Sequence, residues 1–377
     1  TKLENKIDLE GKIALVTGGR IKIGYACVLS LLRCNALVIV TTRFPYDALA
    51  RLQEELDYDS WKHRVHVYGI DFRHLHMVQQ FIGHVTKHYP RLDILINNAA
   101  QTIHRPPAYY ERVIQLEAIR HHDSATTLLE GSSIKVLGSS PFSGLLETAL
   151  DQRTENSLIC DRKQLSNVNS IYSPLFSSHY CSIPVLPSDN LSETEKRLYF
   201  PPNQFDEHKE PADLRKKNTW NSTLNETHPI ELVEVQVVNS IVPTMLISQL
   251  SDLMTKNKQP DENVFVINVT SSEGQFAARK RDGHHVHTNM AKAGLNMLTR
   301  SVAHEMKDKG IFVNSVDTGW VTKMVPMGSQ TSYNISPPLS CEDGAARILD
   351  PIYSSTNLPF HEIPSGKLYK NFVPVSW

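Results

Sequence analysis

Two groups of residues carry the chemistry that this sequence could perform. The first is a glycine-rich turn, Thr17-Gly18-Gly19-Arg20-Ile21-Lys22-Ile23-Gly24, which follows a short apolar run and opens a helical stretch. Glycines allow a backbone to approach a pyrophosphate closely, and the start of a helix supplies free N–H donors and the positive end of a dipole. The turn therefore predicts a binding site for a ligand that carries phosphate groups.

The second group is the run His284-His285-Val286-His287-Thr288-Asn289-Met290-Ala291-Lys292. Histidine has an ordinary pKa of about 6.5, so it can exchange a proton near neutral pH, and a nearby lysine would lower that pKa further. The alternative is that these histidines are loop residues without a catalytic role. The chain has 17 histidines, but none shows the ligand spacing of a recognised metal site, so no metal is expected.

The elements that must position these residues follow an alternating pattern. Near-continuous apolar strands separated by helices indicate a parallel sheet that is covered on both faces. The predicted strands are 12–17, 36–42, 65–70, 92–96, 264–269 and 311–316, and the predicted helices are 23–32, 76–89, 230–253, 288–307 and 341–349. The sequence therefore predicts an α/β fold with a doubly wound parallel sheet.

The alternation stops between Thr102 and Pro229, where clusters of Ser, Pro and Asn replace long periodic segments. Because the same pattern resumes afterwards, we interpret residues 103–228 as a large insertion after the fourth strand of a single domain spanning 1–377. In a doubly wound sheet the ligand crevice lies at the carboxyl ends of the strands, and the insertion begins at such an end. We expect it to close over the active site as a lid.

Composition excludes several classes of protein. The 377 residues include 39 Lys and Arg against 40 Asp and Glu, a net charge of -1, so no polybasic surface for nucleic acid is expected. No stretch approaches the ~18 consecutive apolar residues of a membrane span, so no membrane is expected either. The five cysteines form no Cys-x-x-Cys pair, which suits reduced thiols in the cytoplasm. A small-molecule substrate is the expected partner.

Taken together, these motifs resemble the short-chain dehydrogenase/reductase superfamily over residues 7–101 and 230–325. The family's glycine motif reads Thr-Gly-x-x-x-Gly-x-Gly; Thr17, Gly18 and Gly24 match it, whereas Lys22 replaces the middle glycine. The Lys22 side chain would crowd a pyrophosphate, pair with a phosphate, or point to solvent. The resemblance implies a Rossmann-like fold and a nicotinamide dinucleotide cofactor.

The resemblance assigns further cofactor contacts after the third, fourth and sixth strands. Asp71 corresponds to the adenine-contacting aspartate, with a helix N-cap as the alternative. Asn97-Asn98-Ala99-Ala100 resembles the family's Asn-Asn-Ala-Gly, and Thr318 replaces the proline of its Pro-Gly motif. The implied cofactor-binding residues are Thr17, Gly18, Gly19, Arg20, Lys22, Ile23, Gly24, Thr42, Arg43, Asp71, Phe72, Asn98, Ala99, Lys292, Thr318, Gly319 and Thr322.

The kind of dinucleotide follows from charge at the end of the second strand. The segment Val40-Thr41-Thr42-Arg43 contains no acid that would accept the ribose hydroxyls of NAD. Arg43 and Arg20 instead offer guanidinium groups that can fork onto a 2′-phosphate, with Thr42 as an additional donor. The alternative for each arginine is a surface position. NADP is therefore the predicted cofactor.

The resemblance also places the catalytic residues. Asn239, Ser271 and Lys292 match the family's asparagine, substrate-binding serine and lysine, but Thr288 stands where the tyrosine of Tyr-x-x-x-Lys should be. In the family the lysine lowers the pKa of the tyrosine, which passes a proton to a carbonyl. An alkyl hydroxyl is far too weak an acid for that role at neutral pH.

Histidine offers a replacement for the missing tyrosine. His285 lies seven residues before Lys292, as the tyrosine does in the related enoyl-carrier-protein reductases, and His287 adjoins Thr288. The sequence thus predicts an NADP(H)-dependent oxidoreductase for a carbonyl/alcohol pair with a proton donor other than tyrosine. The alternative is a non-catalytic NADP(H)-binding protein that serves as a sensor or assembly module. Helices 230–253 and 288–307 resemble the pair through which the family dimerises, so a homo-oligomer is expected.

Overall fold

The computed structural model of the chain describes residues 7–126, 174–259, 262–277, 283–329, 336–356 and 358–377. In this part of the chain eight strands form one sheet in the order β3-β2-β1-β4-β5-β6-β7-β8. All neighbouring strands are parallel except β7 and β8. The strands are β1 Ile13–Thr17, β2 Leu37–Thr42, β3 Val65–Gly69, β4 Ile94–Asn97, β5 Val264–Thr270, β6 Ile311–Asp317, β7 Leu368–Lys370 and β8 Val373–Val375.

Helices cover both faces of the sheet, as the near-continuous apolar strands predict. Along β1, Ala14 and Val16 pack into one apolar core and Ile13 and Leu15 into the other. The α-helices are α1 Lys22–Arg33, α2 Pro45–Gln53, α3 Tyr58–Trp61, α4 Leu75–His88, α5 Pro107–Thr126, α6 Pro174–His179, α7 Glu193–Tyr199, α8 Pro229–Gln236, α9 Val242–Thr255, α10 Val286–Asp308 and α11 Cys341–Tyr353. The predicted doubly wound fold is confirmed.

The sheet has a switch point between β1 and β4. From β1 the chain runs outward through β2 to β3, and then returns to β4 on the other side of β1. Connections that leave in opposite directions open a crevice at the carboxyl ends of the two strands, which is where doubly wound proteins bind their ligands. The glycine-rich turn follows β1, and Asn97 ends β4. Both motifs therefore line this crevice.

The helix predicted over 230–253 is interrupted by one wide turn. Helix α8 runs into a π-helical turn at Val237–Ile241, which continues as α9. Such turns are rare and are found often at functional sites, and this one contains Asn239. Among the described helices, the 229–255 stretch is the one long and apolar enough to cross a membrane. Here α9 packs Val242, Leu246 and Leu250 into the core, so it serves the fold as a core helix.

The described part of the insertion lies along the carboxyl edge of the sheet. Helix α5 packs on α2, and α6 packs on β3. A third apolar cluster, which contains Phe44, Tyr110, Cys181 and Phe200, joins the insertion to the turn after β2. Of the predicted insertion, residues 127–173 lie outside the described residues, as does Cys160. The other four cysteines are free thiols.

Candidate functional site

The glycine-rich turn is built around contacts that exclude side chains. Gly18 has φ +69°, and a Cβ atom there would lie 2.9 Å from Ala99 Cα. A Cβ on Gly24 would lie 2.2 Å from the Gly18 carbonyl oxygen, and one on Gly19 would lie 2.7 Å from Val40 Cγ1. Ile23, in the first turn of α1, packs against the core. Backbone therefore forms the floor of the crevice at this point.

Lys22 has a left-handed backbone conformation, which glycine adopts easily and which accounts for the glycine that the family has at this position. Its φ is 57°, in the left-handed region that side chains disfavour. The side chain is partly buried beside the insertion, and burial lowers the pKa of its ammonium group. The charges nearest to it include those of Asp206, Arg105 and Glu210. The Lys22 side chain is thus partly buried beside the insertion, an orientation outside the three that the sequence suggested.

Thr17 and Asn98 lock the turn to the end of β4. Thr17 Oγ1 accepts hydrogen bonds from the backbone N–H groups of Asn98 at 3.0 Å and Ala99 at 2.9 Å. The Asn98 side-chain amide donates to the carbonyl oxygens of Thr17 at 2.9 Å and Gly18 at 3.2 Å. The two motifs predicted to hold a dinucleotide are therefore joined into one rigid unit at the switch point.

Lys292 lies in the second turn of α10, beneath the turn that follows β5. Its ammonium group donates to the Val269 carbonyl oxygen at 2.7 Å, and burial lowers the pKa of Lys292 to about 8. A Cβ on Gly274 would lie 2.7 Å from the Lys292 carbonyl carbon, so this turn rests directly on the helix. Ser271 caps the same turn, Ser272–Gly274. The structure thus brings the turn that carries Ser271 against the helix that carries Lys292.

Buried polar atoms without partners lie on α10, which carries Lys292, and at the end of β5, which Lys292 contacts. Thr288 precedes Lys292 by one helical turn, and the Thr288 hydroxyl has no hydrogen-bond partner among the described residues. The same holds for the Thr270 hydroxyl, at the end of β5, and for His287 Nδ1. Such groups are rare in protein interiors because each one costs stability. Their concentration here indicates a place where a ligand completes the hydrogen bonding.

The two candidate histidines differ in their surroundings. His287 is fully buried, and its Nε2 lies 2.9 Å from the Thr102 carbonyl oxygen. That contact requires a proton on Nε2, and burial lowers the pKa of His287 below its ordinary value. His285 caps α10 with φ +59° and stacks on Trp220 of the insertion, with ring centroids 3.8 Å apart. His287 is thus held by the framework and His285 by the insertion.

Asn239 fixes the loop after β4. From the π-helical turn, its side-chain oxygen accepts from the Gln101 N–H at 2.7 Å, and its amide nitrogen donates to the Gln101 carbonyl at 2.8 Å. Asn239 is buried. The widened turn thus directs a side chain into the crevice where it holds the Gln101 backbone on both sides.

The residues after β6 complete this side of the crevice. Gly319 has φ +77° and donates its N–H to Asp317 at 2.9 Å. Thr318 is buried, and the Thr322 carbonyl accepts a hydrogen bond from the Trp320 indole at 3.1 Å. We call the region formed at the carboxyl ends of β1, β4, β5 and β6 the central half of the crevice.

The carboxyl ends of β2 and β3, together with Arg20 of the glycine-rich turn, form the outer half, which the insertion covers. Arg43 donates to the Tyr110 hydroxyl at 3.1 Å and lies 3.6 Å from Cys181 Sγ, and Ser177 donates to its carbonyl oxygen at 2.9 Å. Thr42 closes the turn by accepting the Phe44 N–H at 3.1 Å. Among the described residues, no carboxylate lies within ion-pair distance of Arg43. Arg43 therefore has no direct ion pair among these residues, but the Asp71 carboxylate attracts its charge from farther away.

Arg20, by contrast, has two carboxylate partners. It donates to Asp47 at 2.8 Å and forks onto both oxygens of Glu210 at 2.8 and 2.5 Å. Its guanidinium also lies 5.2 Å from the centre of the Phe44 ring, and that of Arg43 lies 5.6 Å from the same ring. The two predicted phosphate ligands thus lie beside the same ring, and one of them, Arg20, is already paired with a carboxylate of the insertion.

Asp71 and Phe72 are also engaged by the protein. Both carboxylate oxygens of Asp71 accept from the Arg73 guanidinium, the shortest contact being 2.6 Å. Asp71 also accepts the Arg73 N–H at 3.0 Å. This bond lies in the turn before α4, whose N-cap is His74, so Asp71 does not cap the helix. The Phe72 ring packs into the core.

A buried ionic network, which the sequence does not reveal, connects the two halves. His104 Nε2 lies 3.0 Å from Asp189, and its Nδ1 lies 3.2 Å from Glu234. Burial opposes the charge, but these hydrogen bonds raise the pKa of His104 to about 9. Glu234 also accepts from Arg73 at 3.2 Å and from the Gln101 side chain at 2.6 Å. The network thus runs from Asp71 to the loop that Asn239 holds.

Two family models match the chain on either side of the insertion. The model described as "short chain dehydrogenase" matches residues 12–117, and the model described as "Enoyl-(Acyl carrier protein) reductase" matches residues 217–335. Together they cover the crevice and its framework. The segment between the matches falls within the predicted insertion.

A relative and two solved structures resemble the chain over most of its length. The "Uncharacterized protein R665" of Acanthamoeba polyphaga mimivirus is 27% identical over 92% of this chain, which spans 64% of that protein. An NADPH-bound carbonyl reductase from chicken fatty liver has a TM-score of 0.55 at 15% identity, covering 99% of this chain and 100% of the other. The carbonyl reductase Sniffer of D. melanogaster has a TM-score of 0.53 at 16% identity, covering 98% and 100%. At these identities the two structures establish the shared fold.

Proposed function

The chain belongs to the short-chain dehydrogenase/reductase superfamily, and from this premise we propose that it is an NADP(H)-dependent oxidoreductase that interconverts a carbonyl and an alcohol. The observation that carries the proposal is the central half of the crevice. There burial lowers the pKa of Lys292 to about 8. The hydroxyls of Thr288, one helical turn before Lys292, and of Thr270, which follows its partner Val269, have no hydrogen-bond partner among the described residues. A folded protein retains buried groups of this kind where a ligand supplies the missing partners.

A nicotinamide dinucleotide fits the central half. The space beside Gly18 and Gly24 is filled by the protein itself, so these glycines fix the shape of the turn that opens α1. The start of α1 would offer its free N–H groups to a pyrophosphate. Lys292 and the Thr288 hydroxyl are available to hold the ribose and nicotinamide. When bound, the nicotinamide would take a hydride from the alcohol carbon, or return one to the carbonyl carbon in the reverse direction. In the outer half the fit is incomplete, because Arg20 and Asp71 already have protein partners.

The preference for NADP(H) rests on Arg43. No acid follows β2 directly, and Arg43 is a guanidinium without an adjacent carboxylate among the described residues. A 2′-phosphate would supply the bidentate anion that its Tyr110 and Cys181 contacts do not. Arg43 is therefore the residue to which we assign cofactor selectivity.

Proton transfer is assigned to His287. Its Nε2 proton is held by the Thr102 carbonyl, which leaves the Nδ1 lone pair, the atom without a partner among the described residues, to accept a proton. Because burial lowers its pKa, His287 is neutral at pH 7 and suited to take a proton from an alcohol. His285 remains the alternative donor, stacked on Trp220 at the edge of the same site.

A non-catalytic NADP(H)-binding protein is the second candidate. It is favoured by the Thr288 hydroxyl at the position of the family's tyrosine, which cannot donate a proton at neutral pH, and by the structural hydrogen bond that already occupies His287. In that case the unpartnered groups around Lys292 would bind the cofactor without turning it over.

The experiment is a titration of the full chain with NADPH and NADH by calorimetry, followed by turnover on a panel of aldehydes, ketones and alcohols. We expect NADPH to bind at least about tenfold more tightly than NADH, and Arg43→Ala to remove that difference, since one charge-assisted pair is worth ~1.5–3 kcal/mol. His287→Ala should lower turnover by ~100-fold or more while NADPH still binds.

The matched controls are His285→Ala and Thr288→Ala, which should reduce turnover modestly. Full activity in both histidine variants would show that neither residue transfers the proton. Cofactor binding without turnover of any substrate on the panel would favour the non-catalytic candidate.

We also propose that the chain forms a homo-oligomer. The support is a set of exposed apolar residues on the helices predicted to pair, namely Ile230, Val233, Ile241, Met290 and Met297. Sedimentation velocity on the full chain tests this proposal.

A further inference from the structure

A short hairpin in the insertion delivers one carboxylate to the outer half of the crevice. Phe205 and Pro211 form an antiparallel bridge, and the Asp206 N–H donates to the Glu210 carbonyl at 2.8 Å. The Asp206 carboxylate in turn accepts the N–H groups of His208 at 2.8 Å and Glu210 at 2.9 Å. At the tip, Lys209 has φ +61°. The turn is thus fixed by its own side chain, and Glu210 leaves it in a set direction.

Glu210 ends on the arginine of the glycine-rich turn. Its two oxygens face the two terminal nitrogens of Arg20, and Arg51 supports one of them at 3.0 Å. Glu210 and Arg20 are both buried, 6% and 7% exposed. A parallel two-point contact of this type is also the contact that an arginine makes with a phosphate. The same guanidinium fork therefore cannot hold Glu210 and a phosphate together.

We propose that Glu210 competes with a phosphate group of the cofactor for Arg20. Glu210 occupies the place of that phosphate until the cofactor displaces it. The inference rests on the proposed binding of NADP(H) and names a residue that regulates that site. Arg20 belongs to the glycine-rich turn itself, and its guanidinium and that of Arg43 lie 5.2 and 5.6 Å from the centre of the Phe44 ring. Both guanidinium groups are therefore candidate ligands for a phosphate bound on this side of the crevice. The phosphate is either the 2′-phosphate or the pyrophosphate, since both present the same anionic oxygens.

The competition has a measurable consequence for affinity. A ligand that binds only the fraction of molecules in which Glu210 has left Arg20 has its apparent affinity reduced by that fraction. Removing the charge of Glu210 while keeping its shape should raise the fraction of molecules in which Arg20 is free to bind a phosphate. The position of Glu210 in the insertion thus makes cofactor affinity depend on a segment outside the framework.

The test is Glu210→Gln in the full chain, with NADPH and NADH titrated into wild type and variant by calorimetry. We expect the variant to bind NADPH about tenfold more tightly, as the loss of a charge-assisted competitor allows. If only NADPH binds more tightly, the 2′-phosphate is the group that competes with Glu210 for Arg20. If NADH gains equally, the competing group is the pyrophosphate. An unchanged or weaker NADPH affinity in the variant overturns the inference.

Asp213→Asn is the matched control. Asp213 is a buried carboxylate of the same segment and pairs with Arg105 at 2.9 Å and Arg215 at 2.7 Å, away from Arg20. We expect it to change NADPH affinity less than twofold. If it tightens binding as much as Glu210→Gln does, general loosening of the insertion is responsible and Glu210 is not the competitor.

Hydrogen exchange on wild type gives a second readout that needs no variant. Saturating NADPH should speed exchange of the amides of residues 206–212, because the hairpin moves when Glu210 is displaced. Slower or unchanged exchange there with NADPH bound overturns the competition. Absence of NADPH and NADH binding in both wild type and Glu210→Gln would instead overturn the proposed function together with this inference.

Discussion

The two halves of the crevice lie on one sheet edge but satisfy their polar groups in different ways. In the central half, Thr270, Thr288 and His287 keep buried polar atoms without partners among the described residues. In the outer half, Arg20 and Asp71 are each matched by side chains of the protein itself. The first arrangement resembles a site prepared for a ligand, and the second resembles a packed interior.

The difference shows in which half a ligand adds hydrogen bonds to the protein and in which half it must first replace existing ones. A buried polar group without a partner lowers stability by about 1–3 kcal/mol, and a ligand that supplies the partner returns that energy on binding. A group that is already paired gives nothing back until its internal partner is removed. The central half should therefore respond to changes in its framework, and the outer half to changes in the insertion.

The largest expected effect comes from filling the central turn. Gly24→Ala would place a methyl group 2.2 Å from the Gly18 carbonyl and 2.4 Å from the Asn98 amide. Both neighbours belong to the rigid unit at the switch point, so neither can move without breaking its hydrogen bonds. We expect a loss of about 3 kcal/mol or more in the free energy of unfolding, measured by urea denaturation.

Gly83→Ala provides the matched control. Gly83 is exposed in α4, and a Cβ there meets nothing within 4 Å. Because alanine favours helix more than glycine does, this variant should be more stable by up to about 1 kcal/mol. A similar loss in both variants would mean that the central turn is no more constrained than an exposed helix.

The sequence could predict the central half because its signals are local. Glycines at fixed spacing and apolar runs that end at Thr17, Asn97 and Thr270 indicate strand ends, and the structure confirms the strands that were predicted. The outer half depends on pairs that are far apart in the chain, such as Arg20 with Glu210, 190 positions away, and His104 with Asp189, 85 positions away. No periodicity links such residues. Helix α2, which supplies Asp47, was not predicted either.

Stability should depend on pH in opposite ways in the two halves. Burial lowers the pKa of Lys292 to about 8 from 10.5. Below pH 8 the lysine is charged in both folded and unfolded chains and carries its full desolvation cost. As pH rises from 8 to 10.5 only the unfolded chain keeps the proton, so folding becomes more favourable. Relative to Lys292→Met, wild type should gain up to about 3 kcal/mol over this range.

His104 should show the reverse. Its pKa is raised to about 9 from 6.5 by Asp189 and Glu234 against the effect of burial. Its contribution is complete below pH 6.5 and is lost as pH rises through 9. Relative to His104→Gln, wild type should lose up to about 3 kcal/mol across that interval. For each variant, the difference in unfolding free energy from wild type can be measured by urea denaturation from pH 6 to 10. The two differences should change with pH in opposite directions, and a change in the same direction would contradict the comparison.

The smallest expected effect lies where the two halves meet, at Lys22. A left-handed backbone costs a side-chain-bearing residue about 1–2 kcal/mol, and glycine avoids that cost while losing somewhat more entropy on folding. Lys22→Gly should therefore stabilise the protein by about 1 kcal/mol, measured by thermal unfolding. Asn35→Gly, at the other end of α1 with φ 69°, is the control. Because asparagine tolerates this conformation better than lysine does, Asn35→Gly should stabilise the protein less than Lys22→Gly. A loss in Lys22→Gly would show instead that the ammonium group's attraction to Asp206 and Glu210 outweighs the strain, and that the insertion stabilises the turn it covers.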